Sequence, residues 1–300
     1  MIRSLQRVAI VTGAGNGLGR AYALYLAGRG IRVLVNNRRR PSQQLGDTSA
    51  QNTVDAILAG GGEAVADFED VVQAESGERI VQHALDVWGR LDILVNNAGV
   101  GQHASFHKIG IDAFREIFDV NFYGSLYVAH AAFSRMRAAG YGRVVFTTSS
   151  AGLHGLHGLS AYAASKAAVI GLMRTLAAEG SPHGVLVNAI APYAATKMTA
   201  QHSSADSQAT LNPDLVAPML AYLVSEQTRL NGEVLVAGKG GFRRAAMVEG
   251  PGFGYREAAR ITPEQIERDL PRILDMTASH EYADGLASFK DFFDSMPGVT

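Results

Sequence analysis

A short apolar strand that runs straight into a glycine turn constrains this chain more than any other feature. VAIV (Val8 to Val11) leads into TGAGNGLGRAYALYLAGRG, where the apolar spacing becomes helical after Gly19. Strand, glycine turn and helix in that order open an α/β domain. Gly13, Gly17 and Gly19 let the backbone turn tightly and approach a ligand, while the helix that begins there directs unpaired N–H groups and its positive end at the same place. A pyrophosphate fits such a turn, although a turn with no ligand uses the same residues. The general dinucleotide spacing GxGxxG would need glycine at Leu18; the spacing here is TGxxxGxG.

The remaining chain repeats the alternation. VLV ends a second strand at Val35, and Asn36, Asn37, Arg38 and Arg39 follow it. Ala50 to Leu58 is helical, EAVADFED is a third strand, a helix covers about Glu75 to Trp88, and Ile93 to Val95 form a fourth strand before NNAG. A helical pattern spans Ile111 to Ala139 and contains Asn121, an indifferent helix former whose amide is costly to bury without a partner. RVVFTTSS is a fifth strand, followed by a glycine-rich loop with His154 and His157, a helix, and VLVNAIAP as the sixth strand. Tyr193 to Asn212 is polar and aperiodic, as substrate lids often are. Pro213 to Val224 reads as a helix and Glu233 to Ala237 as a seventh strand. The expected architecture is a single Rossmann-type, doubly wound α/β sheet of about seven parallel strands. Residues 1–241 form the dinucleotide-binding and catalytic domain in this reading, and 242–300 a C-terminal extension packed on that domain or on a partner subunit.

Composition narrows the partners. The net charge of −1 gives no reason to expect nucleic acid, an anionic membrane or polyacids as ligands. With no cysteine, disulfides, thiolate metal sites and a cysteine nucleophile are excluded. No stretch approaches the ~20 apolar residues of a membrane span. A soluble, cytoplasmic protein is the expectation.

In YAASK, a phenol and an ammonium lie four residues apart, on one face of a helix. A free tyrosine ionises near pH ~10 and is a poor base at neutral pH unless a positive charge stabilises its phenolate. Lys166 would supply that charge to Tyr162; a surface Tyr and Lys one turn apart would look the same. Competing chemistries are weaker. His154 and His157 have no acidic or third histidine neighbour for a metal, so none is expected, and Ser149 sits in TTSSAG, which lacks the GxSxG of a serine hydrolase elbow.

Taken together, TGAGNGLG, NNAG, Asn121, Ser149 and YAASK, in that order, resemble the short-chain dehydrogenase/reductase family. Within it, GLGRAYAL, YGRVVFTTSS, NAIAP and VAPML are most similar to the (3R)-hydroxyacyl-CoA dehydrogenase domain of type-2 multifunctional β-oxidation enzymes, over about Val8 to Phe289. The resemblance implies an enzyme of lipid metabolism that moves a hydride between NAD(P) and a secondary alcohol or ketone such as a 3-hydroxyacyl-CoA. It also implies a homodimer or homotetramer. A hydroxysteroid or other bulky-ketone reductase, or a non-catalytic cofactor-binding regulator on the same fold, are the alternatives.

The resemblance implies roles residue by residue. Tyr162 would be the general acid/base, and Lys166 would lower its pKa and hold the nicotinamide ribose. Ser149, thirteen residues before Tyr162, would orient the substrate oxygen, and Asn121 would hold a water joining Lys166 to solvent. Gly13, Gly17, Leu18 and Gly19 would cradle the pyrophosphate, and Asn97, Ala98 and Gly99 would line the adenosine side, with Asn97 supporting the sheet. Ile190 and Thr196 would flank the nicotinamide. Asn37 stands where NAD-using relatives carry an acid, and GVGQH departs from their loop after NNAG. With Arg38 and Arg39 suited either to a 2′-phosphate or to solvent, NADP is favoured and NAD is possible.

Overall fold

VAIVT, RVLVN, ILVN and GRVVFT are buried at nearly every position instead of alternate ones, as strands covered by helices on both faces must be. A computed structural model of the chain describes residues 6–39, 44, 48–195, 210–256 and 261–296. Two compact units divide the chain, Met1–Arg244 and Ala245–Thr300.

The first unit starts with β1 (Val8–Thr12), α1 (Gly17–Ala27), β2 (Arg32–Asn36), α2 (Ser49–Ala59), β3 (Ala64–Asp67), α3 (Ser76–Trp88) and β4 (Ile93–Asn96). Next come α4 (Ile111–Phe118), a π-helical turn (Asp119–Tyr123), α5 (Gly124–Ala139), β5 (Gly142–Thr147), α6 (Ser150–His154), α7 (Ser160–Gly180) and β6 (Val185–Tyr193). After the undescribed residues 196–209 follow α8 (Ala217–Leu223), β7 (Val234–Gly238) and β8 (Gly241–Ala245). The strand order is β3-β2-β1-β4-β5-β6-β7-β8, with parallel pairing from β3 through β7. Neighbours in sequence diverge on either side of β1, which opens a crevice at the carboxyl ends of β1 and β4.

The seven expected parallel strands are all present, and an eighth strand is added at the edge. Lys239 and Gly240, both at positive φ, join β7 to β8, and a two-residue connection of that kind closes only an antiparallel hairpin. GFRRA escapes detection because it is an edge strand exposed at almost every position. Its run crosses the limit expected between residues 241 and 242.

One face of the sheet is sealed by α1, α2 and α8, whose Tyr22, Leu26, Val54, Ile57, Leu220 and Leu223 join Val11, Val33 and Val95 in a continuous core. On the other face α3 lies against α5, and α7 against β6. α7 buries Ala161, Ser165, Val169, Met173 and Ala177, an i, i+4 stripe that also carries Lys166. At the amino ends of the strands, the buried Asp92 carboxylate accepts from Val8 N at 2.9 Å and pairs with Arg7 and Arg90, clamping β1 to β4. Hydrogen bonds from both guanidinium groups and Val8 hold its pKa below the ordinary carboxylate value despite burial.

The second unit contains α9 (Pro263–Ile273) and α10 (Gly285–Ser295). Thr262 and Gln265 form a reciprocal capping box on α9, and Asp284 accepts from Leu286 and Ala287 N–H at the start of α10. Glu249 and His280 pair their backbones, and the Tyr255 hydroxyl meets Asp269 at 2.9 Å. Neither helix buries a residue, and Leu286, Phe289, Phe292 and Phe293 of α10 are exposed.

Candidate active site

The turn after β1 is shaped by contacts that leave no room for side chains. A Cβ at Gly13, where φ is +63°, would stand 2.8 Å from the Ala98 Cα; one at Gly19 would stand 2.6 Å from Asn97 Nδ2 and 2.8 Å from the Gly13 carbonyl carbon. Thr12 makes this packing possible. Its hydroxyl accepts from the N–H groups of Asn97 and Ala98 at 3.0 and 3.1 Å, while Asn97 Nδ2 donates to Thr12 O at 3.0 Å. The ends of β1 and β4 are thereby stitched together across the switch point. Thr12 was not among the expected site residues; its place immediately before the first glycine of the turn was the available signal.

Asn121 lies in the π-helical turn, wholly buried. The extra residue of such a turn shifts the register of the long helical run, a distortion common at functional sites. Its Oδ1 accepts from Val100 N at 2.8 Å, and its Nδ2 donates to Val100 O and Ser165 Oγ, both at 3.0 Å. Both amide hydrogens are thus engaged by protein groups. The side chain is a brace joining the loop after β4 to α7. Ser165, whose hydroxyl also donates to Tyr162 O at 2.8 Å, is a second residue that sequence reasoning missed.

Ser149 ends β5's outgoing segment and caps α6, accepting from Ala151 N at 3.1 Å. It lines the same cavity as the Tyr162 phenol. Burial pushes that phenol above its ordinary value, and the Ser149 hydroxyl pulls in the opposite direction. Lys166, buried one turn along α7, donates from Nζ to Thr147 O at 2.8 Å, and Nζ is 5.8 Å from the Tyr162 ring centre. Burial lowers its pKa to about 8. A methyl placed on Gly99 would lie 3.4 Å from Lys166 Nζ and 3.2 Å from Asn121 Oδ1, so these groups meet where the loop after β4 crosses α7.

A cavity of about 1110 Å³ joins the two ends. Gly13, Gly17, Leu18, Gly19, Asn37, Arg38, Asn97, Ala98, Gly99, Ser149, Tyr162 and Lys166 all line it. Four expected residues stand apart, the buried Asn121 among them. Arg39 is exposed and absent from the wall, Ile190 is fully buried in the core, and Thr196 lies outside the described residues, as does most of the expected lid. At the adenosine end Asn37 Nδ2 donates to Ser49 Oγ at 2.9 Å, and Arg38 pairs with Asp70 at 3.2 Å. His154 closes α6 and His157 follows it; among the described residues no group of three or more His, Cys, Asp or Glu is placed to hold a metal.

Open α/β sheets hold dinucleotides at such a switch point, and a phenol able to exchange a proton beside it is what hydride transfer between an alcohol and a nicotinamide requires. The class is a dinucleotide-dependent oxidoreductase. The short chain dehydrogenase family pattern matches residues 7–207, and the chain belongs to that family, whose members are NAD(P)-dependent enzymes acting on small secondary alcohols and ketones. It is 39% identical over 251 residues to a short-chain type dehydrogenase/reductase of Mycobacterium tuberculosis, covering 83% of this chain and 88% of that one. Peroxisomal multifunctional enzyme type 2 of Mus musculus is 37% identical over 274 residues, which cover 90% of this chain and 37% of the mouse enzyme. The full-length structure of peroxisomal multifunctional enzyme type 2 from Drosophila melanogaster aligns with a TM-score of 0.83 and 32% identity, over 98% of this chain and 50% of that one. This chain therefore spans half or less of these two multifunctional relatives. Among the described residues no helix is long and apolar enough to cross a membrane.

Proposed function

We propose that the chain interconverts a 3-hydroxyacyl and a 3-oxoacyl thioester, with Tyr162 as the acid/base and NADP(H) as the preferred dinucleotide. The observation that carries the acid/base role is the gathering of Ser149, Tyr162 and the buried Lys166 on the wall of one cavity that begins at the glycine turn. The cradle that a Cβ would fill at Gly13 and Gly19 fits a pyrophosphate. When bound, the nicotinamide supplies the hydride acceptor or donor. In oxidation Tyr162 Oη takes the hydroxyl proton; in reduction it returns one. Ser149 holds the substrate oxygen against the phenol, and Lys166 keeps a positive charge beside it below pH about 8. Similarity to the multifunctional relatives supports the thioester reading.

Support for NADP(H) rests on Arg38 alone, since Arg39 is off the wall. Its pair with Asp70 is exposed and therefore weak, leaving guanidinium donors for a phosphate. The test is a panel of 3-oxoacyl thioester, hydroxysteroid and simple ketone substrates with each dinucleotide, in the parent and in Asn37→Asp with Arg38→Leu. We expect the thioester to give the highest kcat/KM and the parent to bind NADP roughly tenfold or more tightly than NAD, as a charged hydrogen bond implies. Equal dissociation constants in the parent would refute the phosphate reading, and a steroid leading the panel would refute the thioester one.

Self-association belongs to the same proposal. Phe114, Phe118, Phe122, Tyr123 and Tyr127 form a contiguous ladder of ring contacts along α4, the π-helical turn and α5, with Tyr123 41% exposed. Such a strip is suited to a subunit contact. Sedimentation at micromolar concentration should show a dimer or larger, and a monomer there would contradict it.

A further inference from the structure

The adenosine end of the cavity is held from behind by a buried carboxylate and one histidine, neither of which lines the cavity itself. Asn36, at the end of β2, and Glu69 and Asp70, which follow β3, are on the wall there. Asp67 stands behind them, its side chain only 5% exposed. Its Oδ1 accepts from Asn36 Nδ2 at 2.7 Å and from Glu69 N at 3.1 Å, and its backbone carbonyl accepts from Asn37 N at 3.0 Å. Three residues of the wall thus hang on Asp67. Its other carboxylate oxygen, Oδ2, lies 2.8 Å from Nδ1 of His83 on α3. A carboxylate oxygen only accepts, so the hydrogen of that bond is on Nδ1. Among the described residues Asp67 pairs with no lysine or arginine, and the imidazole is its one ion-pairing partner.

Ser76, Arg79 and His83 follow one another at three- and four-residue spacing and so share a stripe of α3. The first two grip the Glu69 carboxylate, Ser76 Oγ donating at 3.2 Å and Arg79 Nε at 2.9 Å. Both members of that ion pair are open to solvent, so it contributes little by itself. The His83 contact differs because the carboxylate it meets is buried. Without the imidazole, Oδ2 would lack a donor where water hardly reaches, and an unpaired buried acceptor is costlier than a lost surface ion pair. The carboxylate would turn toward solvent and release Asn36 and the Glu69 backbone. Packing does not account for the histidine, which is not among the buried residues of α3 and keeps part of its ring in solvent. We propose that His83 is a positioning residue that, through Asp67, sets the adenosine end of the dinucleotide site and so determines dinucleotide affinity without entering the chemical step. This rests on the assignment of the dinucleotide site to this cavity.

The test is a double-mutant cycle of His83→Leu and Asp67→Asn, with His83→Asn as the conservative variant, since its amide nitrogen can stand where Nδ1 stood. The readouts are dissociation constants for NADPH, NADH and ADP-ribose, the last carrying the adenosine end without the nicotinamide, and kcat for ketone reduction at saturating dinucleotide. In His83→Leu all three dissociation constants should rise about three- to tenfold while kcat at saturation stays within about twofold of the parent. His83→Asn should recover most of that affinity. In the Asp67→Asn background, His83→Leu should add less than about a twofold loss, because the group it acts through is already changed. Parent-like affinity in His83→Leu overturns the inference, as do losses that simply add in the cycle, or a fall in kcat at saturation as large as the fall in affinity. Should His83→Leu fail to fold, His83→Asn against His83→Gln decides: Gln displaces the amide by one methylene and should bind the probes more weakly than Asn, and equal affinities would overturn the inference. A parent that binds none of the three probes would instead refute the reading of the cavity as a dinucleotide site.

Discussion

Replacing Tyr162 by Phe is expected to lower turnover by ~10²- to 10⁴-fold while the fold and the dissociation constant for the reduced dinucleotide stay near those of the parent. The substitution removes only Oη. The backbone carbonyl of Tyr162 still accepts from Ser165, and Lys166 still donates to Thr147 O, so the geometry of α7 does not depend on the lost atom. A pH profile adds a readout that a structural defect would not move. Because burial holds the phenol above its ordinary value, alcohol oxidation by the parent should rise with pH below that value, since only the deprotonated phenol accepts the hydroxyl proton. Residual oxidation in the Phe variant should lack that rise. Stopped-flow measurement of the nicotinamide change across pH, with fluorescence titration of cofactor binding, checks both halves. Parent-like turnover would remove Tyr162 from the chemistry.

The second large effect is predicted at the glycine turn. In Gly19→Ala the new methyl meets Asn97 Nδ2 and the Gly13 backbone, and neither can retreat because Asn97 also donates to Thr12 O. Overpacking of this kind costs about 1–3 kcal/mol, and because it displaces the cradle itself, dinucleotide affinity should fall by at least about tenfold. Gly171→Ala is the internal control. It lies within α7 with nothing near its added Cβ, so it should be neutral or stabilising by up to about 1 kcal/mol. Thermal melts and cofactor titrations of the two variants separate the effects. A Gly19→Ala protein that binds dinucleotide like the parent would show that the turn is not the cofactor cradle.

How much of this was legible in the sequence follows from what each residue touches. The parallel strands were readable because burial on both faces imposes continuous apolar runs such as VAIV and ILVN. β8 was not, since an exposed edge strand imposes no such run. Asn121 was visible as an anomaly, but the π-helical turn that explains it is a one-residue change of register that periodicity cannot show. The capping box at Thr262 and Gln265 is a local signal in a segment with little apolar pattern, and it went unread. Arg38 and Arg39 look alike in sequence and part company only when the end of β2 turns one toward the cavity. The pKa direction of Tyr162 was beyond the sequence as well. Burial, which only the fold determines, raises it, and the Ser149 hydroxyl works against that rise.

The central claim is that hydride and proton move in the cavity between the glycine turn and Tyr162. It is tested most directly with a 3-hydroxyacyl thioester carrying deuterium on its carbinol carbon, incubated with oxidised dinucleotide and either the parent or Tyr162→Phe. Mass analysis of the dinucleotide should find the label after a single turnover of the parent. In the variant, which binds dinucleotide equally well, the label should arrive at least ~10²-fold more slowly. Deuterium absent from the dinucleotide, or arriving at the same rate with both proteins, would contradict the account.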